Sequence, residues 1–287
     1  VEDHSWVIGD FIWTAFDYIG EASIGWCGYP LDKRIFPWNH ANCGDLNLSG
    51  ERRPQSYLRE TLWSDAPVSH IVVTPPVPSF PLNPDKANWS VWDFPDVVDH
   101  WNFPGYEGKK MTVSVYSNCE QVELFLNGES LGKQENTADK KNTLVWEVPY
   151  AHGILKAVSY NKGGEVGTAT LESAGKVEKI RLSADRTEIV ADGNDLSYIT
   201  LELVDSKGIR NQLAEELVEF SIEGDATIEG VGNANPMSIE SFVANSRKTW
   251  RGSNLLVVRS GKSSGRIIVT AKVKALPVAS ITITQKK

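Results

Sequence analysis

The 287-residue sequence contains only three cysteines, Cys27, Cys43 and Cys119. Three are too few for a scaffold held together by disulfides, and none is two to four residues from another, so zinc-ligand spacing is absent. Cys27 and Cys43 are candidates for one disulfide bridge, although an odd total fits buried free thiols as well. The cysteines therefore exclude a disulfide-held scaffold and a cysteine-ligated zinc domain, and they leave the Cys27–Cys43 pairing open.

Positive charge, long apolar runs and metal-ligand motifs are also scarce. The net charge is −8 and no stretch is dense in Lys or Arg, which argues against binding to nucleic acid. No apolar run approaches about 20 residues, and the first thirty residues do not have the order of a secretory signal, so we expect no membrane partner. The five histidines lack ligand spacing, and no phosphate loop precedes a helix, so we expect neither a metal nor a cofactor. "SGKSSG" at residues 260–265 is predicted to be a hairpin turn.

What the chain does contain is divided by a proline-rich stretch at residues 66–86. Before it, the apolar run Phe11–Phe16 predicts a strand buried on both faces. A long loop follows at residues 20–52. Pro54 then suits a first helical turn, and a short amphipathic helix should end near Asp65. Its apolar face is formed by Tyr57, Leu58, Thr61 and Leu62.

After the prolines, alternating hydrophobicity predicts strands throughout. "MTVSVYSN" and "QVELFLNGESLGK" place Met111, Val113 and Val115 on one face, and Asn127-Gly128 is a hairpin signal. Three more strands follow, the last two joined by "NKGG". We predict an immunoglobulin-like β-sandwich over residues 66–174, in which residues 66–99 form a linker and edge.

From Gly175 the pattern begins again. Seven segments are predicted as strands: "VEKIRLSAD", "TEIVADG", "YITLELVDSKG", "VEFSIEGDATIEG", "NLLVVRSGKSSG", "RIIVTAKV" and "SITITQ". Seven strands over about 113 residues are typical of one complete sandwich, so residues 175–287 form a second immunoglobulin-like unit.

Two aromatic groups are candidates for binding sugar. Trp13 ends the first strand and is followed by Asp17 and Glu21, and an indole that stacks on a pyranose beside hydrogen-bonding acids would suit a glycan. The alternative is that Trp13, Phe16 and Tyr18 belong to a core. The second group includes Trp89, Trp92 and Trp101, which would form either a glycan platform or, as we favour, packing at the seam between domains.

Several motifs in order resemble the C-terminal part of a glycoside hydrolase family 2 enzyme of the bacterial β-galactosidase type. They are "GDFIWTAFDYIGEASIGW", "NCGDLNLSGERRPQSYLRETLW", "VYSNCEQVELFLNGESLG", "GNANPMSIESF" and "RKTWRGSNLLVVRSG". The resemblance implies that residues 1–65 are the last β-loop-α unit of a catalytic (β/α)8 barrel. The whole chain is then mainly β, with two sandwiches after that unit.

The resemblance also implies roles for individual residues. Trp13 would stack against the non-reducing sugar in the −1 subsite, and Asp17, Glu21 and Asp45 would lie on the same loop face. The two catalytic glutamates of this retaining family belong to the ends of the fourth and seventh barrel strands, before Val1. We therefore expect no catalytic residue in this chain and no hydrolysis by the chain alone.

The implied activity is removal of terminal β-galactosides, and the implied partners are a β-galactoside or related glycan and the missing N-terminal part of the same protein. β-Glucuronides and β-mannosides share the architecture. The exposed barrel unit would also allow association of two copies, and analogy suggests a periplasmic or secreted protein. Two other functions stay open: a carbohydrate-binding module, tested through Trp92 and Trp101, and an adhesin-like tandem immunoglobulin array.

Overall fold

A computed structural model describes residues 4–21, 36–79 and 94–287, and these residues are mainly β. In chain order the helix and strands are α1 (Pro54–Trp63), β1 (Ser69–Val73), β2 (Lys110–Ser117), β3 (Gln121–Leu126), β4 (Glu129–Glu135), β5 (Thr143–Pro149), β6 (Ile154–Asn161), β7 (Gly164–Glu172), β8 (Lys179–Ala184), β9 (Glu188–Val190), β10 (Leu196–Val204), β11 (Leu217–Glu223), β12 (Ala226–Gly232), β13 (Ser246–Lys248), β14 (Ser253–Ser260), β15 (Gly265–Val273) and β16 (Ala279–Lys286). The strands form four sheets.

The N-terminal segment, residues 4–21 and 36–65, differs from its prediction. No strand forms at Phe11–Phe16, and the run is not buried, because the Phe11 side chain is fully exposed and Phe16 is half-exposed. Backbone hydrogen bonds still join residues 14–17 to residues 43–46, including a parallel bridge between Phe16 and Leu46. A strand needs neighbours along its length, and no described strand flanks this run. The prediction of a doubly buried strand is therefore wrong for these residues.

The helix begins and ends as the sequence predicts. Pro54 occupies the first turn, where its missing N–H costs nothing, and α1 ends at Trp63. Tyr57 stacks on His70 of β1, with ring centroids 3.6 Å apart, so the helix packs on the first sheet. Only part of the predicted apolar face is buried, since Leu62 is exposed. The helix consequently joins the N-terminal segment to the strands that follow.

The first β unit, residues 69–172, consists of two sheets that face each other across one core. One sheet has the order β1-β2-β5 and the other β4-β3-β6-β7. Met111, Val113 and Val115 are buried in this core, as the alternation predicts. The Asn127-Gly128 turn joins β3 to β4, and both residues have positive φ (51° and 88°), which is why an Asn-Gly pair suits the position.

The second β unit, residues 179–286, has sheets of order β12-β14-β10-β8 and β13-β11-β15-β16-β9 around a second core. It has more strands than predicted. "VEFSIEGDATIEG" forms two strands, β11 and β12, and three-residue β13 shows no readable alternation. Residues 260–265 do not make a hairpin, because β14 and β15 belong to different sheets. That turn instead carries the chain from one sheet to the other.

The second aromatic group lies only partly within the described residues. Trp101 is fully buried in the core of the first β unit, and its indole N–H donates to the Ala151 carbonyl at 2.8 Å. A ring with no exposed face cannot stack on a glycan, so the glycan-platform prediction is wrong for Trp101 and packing is its role. Trp89 and Trp92 lie outside the described residues.

Candidate functional site

Trp13, Tyr18 and Glu21 form a chain of side chains on the surface of the N-terminal segment. The Trp13 indole N–H donates to the Tyr18 hydroxyl at 2.9 Å, and that hydroxyl donates to the Glu21 carboxylate. The Trp13 and Tyr18 rings meet edge to face, with centroids 6.2 Å apart. Partial burial is the main cause that raises the pKa of Tyr18 to about 12, and the hydrogen bond to Glu21 acts in the same direction. The phenol is therefore a fixed neutral donor between an indole and a carboxylate.

The Trp13 ring itself is 63% exposed, and the peptide bond that follows it is cis. Its edge nitrogen is held while much of its surface is open, which is the arrangement that sugar stacking requires. The alternative that Trp13 and Phe16 belong to a core is not what the structure of this chain shows, since Trp13 is mostly exposed and Phe16 half-exposed.

Asp17 points away from this chain of side chains. It is buried, and its carboxylate accepts bonds from the Gly44 N–H at 2.7 Å and from Arg53 Nη1 at 3.0 Å. Burial raises the pKa of Asp17 to about 6, against the opposing effect of the Arg53 charge. Both partners belong to the structure around the carboxylate, so Asp17 supports the loop; it also contributes to the lining of a polar cavity beside residues 94–99.

Asp45 is also occupied by a neighbouring cation. Its carboxylate forms an ion pair with Arg59 of α1. The backbone N–H of Asp45 donates to the Thr14 carbonyl at 3.0 Å. The structure therefore brings Glu21 to Trp13 and directs Asp17 and Asp45 toward arginines, where the resemblance had placed all three acids on one loop face.

Gly44 explains why the loop can approach the N-terminal segment so closely. A Cβ at this position would overlap the backbone of Phe16 and Asp17. Its carbonyl accepts a bond from Gln55 Nε2 at 2.6 Å, at the start of α1. A residue with no side chain is needed where two backbone segments meet.

Tyr18, Arg53 and Gly44 are the site residues that sequence reasoning missed. Tyr18 and Arg53 lie inside two of the family motifs, but their local pattern does not indicate a role in the site. The adjacent "GERRPQ" does supply cations before the helix, but nothing in the spacing shows that one of them reaches Asp17, 36 positions away.

A polar cavity of about 310 Å³ lies where the N-terminal segment, residues 94–99 and the second β unit meet. Glu51 and Arg210 form an ion pair across this junction. The Gln212 side-chain amide donates to Asp99 at 3.3 Å. These contacts hold the junction together by pairing its charged and polar groups with one another.

Among the described residues, no group of three or more His, Cys, Asp and Glu side chains is arranged to hold a metal ion. No helix in the described part of the chain is long and apolar enough to cross a membrane. Cys43 and Cys119 are free thiols, and Cys27, the other member of the predicted bridge, lies outside the described residues.

Two family models match the chain. Glycoside hydrolase family 2 C-terminal domain 5 matches residues 180–282, which is most of the second β unit. A domain of unknown function, DUF4982, matches residues 108–167 in the first β unit. The matches cover the two β units separately.

Among known proteins, the chain is similar to a β-galactosidase of Bacteroides ovatus, with 31% identity over the whole chain and 29% of that protein. It is 29% identical to a putative β-glucuronidase of Formosa agariphila, over 83% of the chain and 20% of that protein. A crystal structure of a glycosyl hydrolase family 2 member from Bacteroides cellulosilyticus matches the whole chain and 37% of its own, with 99% identity and a TM-score of 0.97.

Together these matches place the chain among the glycoside hydrolases. The chain belongs to glycoside hydrolase family 2, and it corresponds to the C-terminal part of that family's proteins, as the sequence motifs predict. It spans about a third or less of the length of the relatives described above.

Proposed function

We propose that the chain is the C-terminal part of a retaining exo-glycosidase that removes terminal β-galactosyl residues. The similarity to a β-galactosidase over the full 287 residues supports the sugar class, and the weaker similarity to a β-glucuronidase supports the wider class of β-glycosides. The catalytic glutamates belong to the preceding part of the longer protein, so the chain alone does not hydrolyse glycosides.

The observation that carries this proposal is the open indole of Trp13. Its N–H is held by Tyr18, and the rest of the ring is exposed beside the Glu21 carboxylate. A pyranose ring that stacks on this indole would bury apolar C–H surface, and a carboxylate beside it would accept hydroxyl hydrogens. In this proposal Trp13 forms a wall of the −1 subsite and Glu21 fixes Tyr18.

Each of the three acids assigned to this site has another partner among the described residues. Retaining glycosidases use two carboxyl groups about 5 Å apart on opposite sides of the scissile bond. Asp17 is engaged by Arg53 and Asp45 by Arg59, which leaves Glu21 as a carboxylate bonded to a phenol. This supports assigning acid/base and nucleophile roles to residues outside the chain.

We further propose that residues 1–65 complete a (β/α)8 barrel and that residues 66–174 and 175–287 are immunoglobulin-like domains. In the second β unit, β8 pairs with β10 in one sheet while β9 pairs in parallel with β16 in the other. The first two strands of this unit therefore lie in different sheets, which is compatible with a closed sandwich of this kind. A periplasmic or secreted location is proposed by analogy.

A comparison of two proteins tests the proposed activity: the present chain and the longer chain of the 99% identical crystal structure. The longer chain should hydrolyse nitrophenyl β-galactoside faster than nitrophenyl β-glucuronide, and the present chain should show no turnover above background. Turnover by the present chain that survives Glu21→Gln would refute the assignment of catalysis to the missing part.

Replacing Trp13 tests the subsite. In the longer chain, Trp13→Ala should lower kcat/KM by about fivefold to 150-fold, because loss of a stacked indole is worth about 1–3 kcal/mol. Trp63→Ala is the matched control, since Trp63 is also exposed but lies at the end of α1. An unchanged kcat/KM in Trp13→Ala would contradict the subsite assignment.

A further inference from the structure

A loop of the second β unit contacts the N-terminal segment directly. This loop, residues 233–243, follows β12 and is called loop 233–243. The Asn39 side chain donates from Nδ2 to the Ser238 carbonyl at 2.7 Å. The backbone N–H of Asn39 donates to the Pro236 carbonyl at 2.9 Å. One residue of the N-terminal segment is thus held by both its backbone and its side chain.

Asn39 also belongs to the backbone that carries the proposed sugar site. Its carbonyl accepts a bond from the Gly20 N–H at 3.2 Å, and the Ala41 N–H donates to the Tyr18 carbonyl at 2.8 Å. Ile19 and His40 form an antiparallel bridge between these two bonds. Residues 18–20 are therefore paired with residues 39–41, directly beside Glu21.

Loop 233–243 is itself held by a buried cation. Arg247 of β13 is only 1% exposed and donates to the Ser238 hydroxyl at 3.0 Å and to the Glu240 carbonyl at 3.1 Å. Its guanidinium also lies 4.2 Å from the centre of the Phe242 ring. Buried hydrogen bonds from an arginine cost a great deal to lose. The bonds of Arg247 therefore hold the loop at Ser238 and Glu240, beside the Pro236 and Ser238 carbonyls that accept from Asn39.

We infer that loop 233–243 of the second β unit is a positioning element for the proposed sugar site and acts through Asn39. Held by Arg247, the loop fixes Asn39, which fixes the backbone at Tyr18 and Gly20. The Tyr18 hydroxyl then sets the edge of Trp13 and the carboxylate of Glu21. The C-terminal unit, matched by the family's C-terminal domain model, thereby gains a part in substrate binding.

The functional consequence of this inference rests on the proposed function, but its structural part can be measured without any substrate. In the longer, 99% identical chain, Asn39→Ala removes the side-chain bonds to the Ser238 carbonyl and to His40 Nδ1 and leaves the backbone intact. Amide hydrogen exchange should become faster in peptides that contain Gly20 and Ala41, whose N–H groups bond across the pairing. Unchanged exchange there would overturn the inference.

The matched control is Asn245→Ala. Asn245 donates from its side chain to the Phe220 carbonyl at 3.4 Å within the second β unit and makes no described contact with residues 18–20. The Asn245→Ala variant should leave amide hydrogen exchange at Gly20 and Ala41 unchanged. Equal acceleration in both variants would show a general loosening of the β unit and would overturn the inference.

Kinetics on the longer chain then test the positioning role. With nitrophenyl β-galactoside, Asn39→Ala should lower kcat/KM by about tenfold, since small displacements at a subsite reduce rate strongly. In a Trp13→Ala background the same change should have much less effect, because Asn39 acts through the site. Asn39→Gln, which keeps the donor, should restore part of the loss.

The outcomes separate the two proposals. If Trp13→Ala leaves kcat/KM unchanged, the proposed sugar subsite fails while the exchange result still decides whether the loop positions residues 18–20. If Trp13→Ala lowers kcat/KM but Asn39→Ala and Asn245→Ala have the same kcat/KM, the positioning inference fails and the subsite proposal stands. Additive losses from Asn39→Ala and Trp13→Ala would likewise overturn it, because a residue acting through the site cannot act independently of it.

Discussion

Arg53 donates from a single nitrogen, Nη1, to both carboxylate oxygens of Asp17, at 3.0 and 3.3 Å. The Asp17 side chain is 1% exposed and the Arg53 side chain 18%. The pair joins the residue that precedes α1 to the segment that carries Trp13 and Tyr18. Asp17, which the sequence predicts as a hydrogen-bonding acid beside a glycan, is thereby a fixed support for the site.

Removing one partner of the Asp17–Arg53 pair should lower the stability of the fold strongly. Arg53→Met leaves a buried carboxylate with one strong donor, the Gly44 N–H, and should lower the free energy of unfolding by about 3–5 kcal/mol. The double variant Asp17→Asn/Arg53→Met removes the uncompensated charge and should recover much of the loss. Urea unfolding of the four proteins in the cycle measures both effects. Equal losses in the single and double variants would contradict the ion pair's role.

His100 should make stability depend on pH. Burial, reinforced by the Arg251 charge, lowers the pKa of His100 to about 4, and its Nδ1 accepts a bond from the Asn102 N–H at 3.2 Å. Because the folded pKa lies below the unfolded value of 6.5, the unfolded chain binds more protons between these values. The stability contributed by neutral His100 is therefore complete above about pH 6.5 and is lost progressively as pH falls toward 4.

The expected loss from this histidine is about 2 kcal/mol between pH 6.5 and pH 5, from about 1.4 kcal/mol per pKa unit. His100→Asn keeps an acceptor but cannot titrate there, so the unfolding midpoint of this variant should fall less on acidification. Replacement of exposed His152 by Asn is the matched control. If His100→Asn and the unchanged chain lose the same stability, a different group governs the acid response.

Trp101 should matter for stability and not for glycan binding. Its ring packs edge to face against Tyr150, with centroids 4.9 Å apart, and against Phe103 at 6.0 Å. Trp101→Ala should cost about 3–5 kcal/mol in unfolding free energy, and Trp101→Phe clearly less, because the cavity is smaller. Trp63→Ala, at an exposed position, should change stability by less than about 0.5 kcal/mol. A mild effect of Trp101→Ala would place this ring outside the core.

The strands of the two β units could be predicted because apolar and polar residues alternate along a strand that buries one face. Met111, Val113 and Val115 follow that rule, and so does the helix that starts at Pro54. The rule fails where burial depends on neighbours that the sequence pattern does not identify. The apolar run at Phe11–Phe16 has the composition of a buried strand, yet no described strand lies beside it.

The site was harder to predict than the fold, because its contacts join distant parts of the chain. Trp13 and Glu21 could be selected from local composition, but the choice between a ligand-facing acid and a structural acid depends on Arg53 and Arg59. Likewise the bond from Asn39 to Ser238 spans 199 positions. Residue type and spacing do not specify such pairings.

The exposed apolar side chains of the N-terminal segment predict association of the isolated chain. Trp6, Ile8, Phe11 and Phe36 are each more than two-thirds exposed, and such patches on a folded chain usually mark a contact surface. We expect the present chain to form dimers or larger species in sedimentation experiments. If residues 1–65 complete a barrel as proposed, the longer chain should cover these groups and associate less.

Ile8→Ser/Phe11→Ser should shift the present chain toward monomer, because it removes two fully exposed apolar side chains without disturbing a core. Val77→Ser/Val278→Ser is the matched control, since both valines are exposed but lie outside the N-terminal segment. The control should sediment like the unchanged chain. Sedimentation velocity over a range of concentrations measures the shift, and a monomeric unchanged chain throughout that range would refute association through this surface.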